Sequence, residues 1–246
     1  MQIAETFRER REEIVAYLDF LRGVEEVIRS GVPRLGADGP AITVQQQKIL
    51  YSSVYLQLYN LVESTVTGCL DAVSVSALSR SRCRVGELNA ELRREWVRHI
   101  ARTHTDMSPD RRLDAALNMC EHLVSALPVE PFSIEKGGGG NWDDEEIFRI
   151  ANRIGFALQI SPQANRAAKA KIREDRGALA LVVYLRNGLA HGRLSFVECG
   201  QDDSVADLTE LAERVFLYLG EVVTAFERHI EQDGHLSPEV RSAAQA

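Results

Sequence analysis

Arg186, Asn187 and His191 close the most apolar stretch of the chain, Leu181-Val182-Val183-Tyr184-Leu185-Arg186-Asn187-Gly188-Leu189-Ala190-His191-Gly192. Their types suit one reaction. An imidazole can take a proton from a ribose 2′-hydroxyl or return one to a leaving 5′-oxygen. A guanidinium offers a fixed fork of donors to a phosphate passing through a five-coordinate state. A neighbouring amide can orient the imidazole or the phosphate. Internal attack by the 2′-oxygen needs no metal and leaves a 2′,3′-cyclic phosphate; DNA lacks that nucleophile and resists. One chain supplies one such His, whereas acid and base work at one phosphate calls for two groups. A two-fold dimer brings two copies together. These residues therefore predict a homodimer acting on RNA.

The spacing by itself is a weak signal, since 25 Arg and 6 His occur in the chain and Arg94–His99 repeats it. Context separates the two pairs. Ala178 to Leu185 carries no charge and reads as a buried helix, whose last turn brings Arg186, Asn187 and His191 to an edge of the core. Gly192 suits the position after the helix, where the backbone wants a positive φ. His191 sits against the negative end of the helix dipole. Arg94–His99 lies among Glu and Arg and reads as a solvated face.

Other helices must hold that one. Residues 5–30 read as an amphipathic helix with Phe7, Ile14, Leu18, Leu21, Val24 and Ile28 on one face, ended by Gly31 and Pro33. A loop over 34–43 precedes a long helix over 43–76, striped by Leu50, Val54, Leu58, Leu61, Thr65, Cys69 and Val73. Asn60 and Glu63 interrupt it, and either point to solvent or line the site. Residues 77–127 read as charged helices around Trp96, Ile100, Leu113, Leu117 and Leu123, with a start at Ser108-Pro109. After a flexible loop over 128–141, Asp143 to Glu146 starts a helix with Ile147, Ile150, Ala151 and Ile154 on one face.

Ser161-Pro162 starts a helix carrying Arg166, Lys169, Lys171, Arg173 and Arg176, which leads into the central stretch. Lys169, Arg173 and Arg176, with Arg193, are candidates for holding RNA phosphates; a solvated helix face accounts for them equally well. Arg193 to Cys199 reads as a brief extended segment. Ser204 caps a last helix striped by Leu208, Leu211, Val215, Leu219, Val222, Phe226 and Ile230, and 234–246 reads as a frayed tail. The fold class is all-α.

Composition removes several function classes. A net charge of -7 argues against a general nucleic-acid coat protein, though not against a nuclease with a locally basic cleft. No apolar run approaches the roughly 20 residues that span a bilayer, so no membrane partner is expected. Met1 to Glu13 is charged and lacks a signal-peptide core, which predicts a cytoplasmic protein. Cys69, Cys83, Cys120 and Cys199 have no CxxC spacing and read as reduced thiols. His99, His104, Cys120 and His122 match no zinc pattern. The Gly137–Gly140 run is followed by no Lys-Ser/Thr and is a poor phosphate loop. No metal and no cofactor is expected.

The central stretch resembles the HEPN family, whose members carry an Arg, a polar residue and a His four to six positions after the Arg. Asn60-Leu61-Val62-Glu63-Ser64 is similar to the Asn/Glu-bearing helix of a stand-alone bacterial branch. Gly140-Asn141-Trp142-Asp143 and the run from Leu189 to Gly200 are similar to two further segments of it. Together these span most of 45–232, with the poorest likeness over 77–127.

The resemblance implies a bundle of four to five core helices in one domain over 1–246, with 77–127 as a possible inserted helical region. It implies dimerisation through the motif helices and metal-independent ribonuclease activity. The usual setting is a toxin or antiviral-defence effector, checked by an antitoxin or regulatory partner protein. In relatives silenced by AMP addition a Tyr stands two residues after the His; Arg193 stands there here, which puts that route in doubt. The alternative is a catalytically inactive dimeric module binding RNA or protein, with Arg186 in a structural ion pair and His191 as a helix cap.

Overall fold

The computed structural model describes residues 2–34, 36, 38–79, 83–101, 106–136 and 141–245. Gly137–Gly140 and His104 lie outside the described residues. Among the described residues the chain is helical throughout and has only isolated β-bridges. The helices are α1 (Gln2–Ser30), α2 (Val44–Ser79), α3 (Ala90–Ile100), α4 (Pro109–Val124), α5 (Asp144–Arg153), α6 (Pro162–Lys169), α7 (Ala178–Ala190), α8 (Phe196–Cys199), α9 (Val205–Glu231) and α10 (Pro238–Gln245).

The chain divides into two compact units. The first comprises residues 1–65, 141–144 and 160–221, and the second 66–140, 145–159 and 222–246. In the first unit α1 buries Ile14, Leu18, Leu21 and Val24, α2 buries Val54, Tyr55, Leu58, Tyr59 and Leu61, and α9 buries Leu208, Leu211, Val215 and Leu219. Apart from Tyr55 and Tyr59, these are the three- and four-residue stripes of the sequence, each side chain contributing about 2 kcal/mol of transfer free energy. Helix α7 buries Leu179, Leu181, Val182, Val183 and Leu185, which leaves a narrow outward stripe of Ala180, Tyr184, Asn187 and His191. Gly177 precedes α7 because a Cβ there would run into the Ala168 carbonyl oxygen at the end of α6.

Val44–Leu78 is long and apolar enough to cross a bilayer by length and composition, with a mean hydropathy of 1.3 in its best window. This differs from the expectation that no run approaches that length. Half of that window is buried inside the protein, as in a core helix.

In the second unit Trp96 and Leu92 of α3, Cys69 and Leu70 of α2, Ile147 and Ile150 of α5, and Phe226 of α9 are buried. Glu95 is buried too. It is compensated by ion pairs to Arg98 and to Arg153, whose Nε lies 3.2 Å from Oε1. Asn89 caps α3 by accepting the Leu92 N–H at 2.7 Å, and donates to the Ile154 and Gly234 carbonyls.

Several expectations are corrected. Leu113, Leu117 and Leu123 are 59%, 57% and 49% exposed, so they are no core. Helix α4 forms, but it turns His122 inward, with its ring 5.1 Å from that of Trp96, and Leu113 and Leu117 lie on the opposite face. The tail is tied down. The Asn89 N–H donates to His235 O, the Ser237 N–H donates to Glu87 O, and Leu236 is buried before α10 begins. The loop after α4 is anchored by the Val129 N–H to Cys83 O and by buried Phe132 and Ile134. The segment expected to be extended contains α8, set by a capping box in which Ser195 and Glu198 exchange hydrogen bonds.

Candidate active site

Every candidate site residue belongs to the first unit. Arg186 leaves the last turn of α7 and lays its guanidinium over the ring of Tyr59 in α2, 4.0 Å from the ring centre. Its Nη1 donates to Asn187 Oδ1 at 2.8 Å. Asn187 in turn donates through Nδ2 to Asn141 Oδ1, also at 2.8 Å. Tyr59 is buried. Burial raises its phenol above the usual tyrosine range, the negative charge of Glu63 adds to that, and Arg186 opposes it. Glu63 is thus half-buried and felt at the stack, whereas Asn60 is exposed.

His191 is the residue at which α7 stops. Its backbone N–H still donates to Asn187 O, while φ is -96°. Gly192 then takes φ +67°, the left-handed turn that a glycine enters without strain. The Arg193 and Leu194 N–H groups return to Gly188 O at 2.9 and 3.1 Å and close the helix end. The His191 side chain is exposed, and its imidazole makes no hydrogen bond or ion pair with another described residue. Arg193 is exposed beside it.

The basic run upstream is arranged otherwise than expected. Helix α6 ends at Lys169, and residues 170–177 turn through Glu174 and Asp175 at φ 52° and 59°, with Arg173 and Arg176 bridged. No single basic helix face exists. Lys169 pairs with Asp144 at 3.6 Å. Arg173 turns inward, 3.5 Å from Asp203 Oδ1 and from the Cys199 carbonyl, over the ring of Tyr55. The Tyr55 hydroxyl donates to the same Asp203 oxygen at 2.9 Å. Burial raises the Asp203 carboxyl above the usual range, and Arg173 pulls it back. Arg176 stacks on Tyr184 at 3.9 Å and pairs with Glu174 at 3.3 Å.

Segment 141–144 is held firmly. Trp142 is buried, the Tyr218 hydroxyl donates to Asp144 O at 3.4 Å, and Lys169 holds the Asp144 carboxylate. The second Arg–His pair lies in the other unit, where His99 Nδ1 sits 3.3 Å from Ser133 Oγ. Among the described residues no three His, Cys, Asp or Glu side chains are grouped so as to hold a metal ion.

A family model, HEPN_MAE_28990-like HEPN, matches residues 1–233. The chain belongs to that HEPN family. No curated protein and no solved structure matches it. The matched span runs across residues 77–127, where the sequence likeness is poorest.

Two partners of the HEPN motif escaped sequence reasoning. Tyr59 stands in an apolar stripe, where an aromatic reads as core; only its position next to Asn60 and one turn before Glu63 hinted at more. Asn141 lies in the Gly140–Asp143 segment, whose likeness to the family assigns it no task. The end of α7 thus carries an exposed imidazole and, five residues before it, a guanidinium fixed by an aromatic face and an amide chain. Such a pair can hold a phosphate oxygen and move a proton beside it.

Proposed function

We propose that this HEPN protein is a metal-independent endoribonuclease working as a homodimer. Arg186 stabilises the charge that grows on the scissile phosphate. The two His191 imidazoles, one from each protomer, take the proton from the 2′-hydroxyl and deliver one to the leaving 5′-oxygen. The bond from the 2′-oxygen to phosphorus forms as that from phosphorus to the 5′-oxygen breaks, leaving a 2′,3′-cyclic phosphate. One observation carries the reading: Arg186 forms no ion pair with a described residue, while Lys169, Arg173 and Arg176 all face carboxylates. A structural ion pair, the role an inactive module would give Arg186, has no support. A half-buried guanidinium held on a neutral ring keeps its charge for an incoming phosphate.

Arg193, exposed beside His191, is the first candidate to guide the RNA backbone; Lys169, Arg173 and Arg176 would have to leave their carboxylates to join it. The biological setting proposed is a toxin or antiviral effector restrained by a partner protein. The test is cleavage of a labelled RNA by the dimer. His191→Ala abolishes cleavage and host toxicity while the dimer stays folded. Wild-type products end in 2′,3′-cyclic phosphate, a chelator leaves the rate unchanged, and a 2′-deoxy sugar at the cut blocks it. Cleavage by His191→Ala at the wild-type rate overturns the assignment.

A further inference from the structure

Stacking on Tyr59 fixes the plane of the Arg186 guanidinium but not its rotation within that plane, because a ring face attracts a cation with little preference for direction. A directional bond must set the rotation, and the bond present is the one to Asn187 Oδ1 at 2.8 Å. That bond depends on which way the Asn187 amide points. An amide has an acceptor end and a donor end. Turned over, Asn187 would set its NH2 against the guanidinium, donor against donor. Its orientation is decided at its other end, where Nδ2 donates to Asn141 Oδ1 at 2.8 Å.

Asn141 is exposed and belongs to no helix. Its place comes from its neighbours: buried Trp142, and Asp144, gripped by Lys169 through its carboxylate and by Tyr218 through its carbonyl. These anchors hold the backbone whatever side chain stands at 141.

We infer that Asn141 is a positioning residue for Arg186. It sets the Asn187 amide, and through it the rotation of the guanidinium fork toward the phosphate. The kinetic consequence rests on the ribonuclease reading; the hydrogen-bond consequence does not.

The test uses the full-length protein with Asn141→Ala, Asn141→Asp, Asn187→Ala and the Asn141→Ala/Asn187→Ala double variant. Asn141→Ala lowers kcat about tenfold with KM unchanged, since a group misplaced by a fraction of an ångström forfeits part of its orientation. Asn141→Asp still accepts from Asn187 Nδ2 and keeps kcat within about twofold, any effect of its added charge on RNA falling in KM. In the Asn187→Ala background Asn141→Ala changes nothing further, because the two act as one chain. A merely structural role would move the melting temperature instead, and would not be silenced by Asn187→Ala. In parallel, NMR follows solvent exchange of the Asn187 side-chain amide protons, which are slowed in wild type and in Asn141→Asp and released in Asn141→Ala. Should the wild-type protein cleave no RNA, the ribonuclease reading fails and amide exchange alone decides the clamp. Unchanged exchange in Asn141→Ala, or an equal loss of kcat with and without Asn187, overturns the inference.

Discussion

Arg186→Lys keeps the positive charge of the site and removes its fork. In the folded protein the change gives up a stack at 4.0 Å and a hydrogen bond at 2.8 Å. Each is worth about 1 kcal/mol at a half-buried position. Against a total stability of about 5–15 kcal/mol, the variant remains folded. On the proposed ribonuclease reading, the transition state loses more. An ammonium on a flexible stem presents its donors as a point charge, whereas the guanidinium holds paired donors in a plane set by Tyr59 and a rotation set by Asn187. Removing one preorganised donor from a developing oxyanion costs about 3 kcal/mol, a factor of about 10² in rate. Single-turnover cleavage of an end-labelled RNA, with enzyme in excess, reads the chemical step directly. Circular dichroism checks the helices in the same sample. Tyr59→Phe serves as the control, since it keeps the ring face and should cleave within about threefold of wild type. Arg186→Lys cleaving that well would show that charge alone suffices, and the reasoning from the stacked fork would fall.

Two further predictions concern the scaffold. Burial, with the charges of His235 and Arg241, pushes the His229 imidazole down to about 4, so the fold holds it neutral against the Phe156 ring. The unfolded chain takes up that proton near pH 6.5, so stability is lost as pH falls from about 6.5 to 4, by about 3 kcal/mol in all. His229→Phe removes this part of the pH dependence, measured as the difference between urea unfolding curves at pH 7 and pH 4 in both proteins; equal differences would refute it. Gly177→Ala drives a Cβ into the Ala168 carbonyl oxygen and destabilises the protein by about 2 kcal/mol, seen as a lower thermal midpoint; an unchanged midpoint would contradict the close approach of α6 and α7.

What could be read from the sequence follows from how local each signal is. The stripes of α1, α2 and α9 and the apolar run of α7 were legible because their central residues are buried. Helix α4 shows the limit: Leu113 and Leu117 recur at helical spacing, yet period names a face without saying what covers it. The break after Lys169 went unseen because Glu174 and Asp175, not Gly or Pro, take the left-handed turn. At α8 the aromatic Phe196 and β-branched Val197 suggest an extended segment, whereas Ser195 and Glu198 spell the capping box that wins. Arg186, Asn187 and His191 do lie at the end of one buried helix stopped by one glycine, as their pattern predicts. Asn141, 46 residues upstream of Asn187, meets it only through tertiary structure, and no local pattern announces such a pair.

The sorting of the basic residues bears on how an acidic chain could handle RNA at all. With a net charge of -7, long-range attraction is not available to it, and a phosphate must be held by cations that remain locally unneutralised. A guanidinium facing a carboxylate, as Arg173 faces Asp203, has its field largely cancelled and would have to break that pair to bind. One resting on a tyrosine ring is held in place by the ring's quadrupole and gives up no charge. Holding Arg186 this way separates two demands that a salt bridge would set against each other: the side chain must be still before the substrate arrives, and it must be fully charged when the phosphate does. On the proposed ribonuclease reading the rate then comes from orientation, which places the weight of that mechanism on Tyr59, Asn187 and Asn141 rather than on the arginine count.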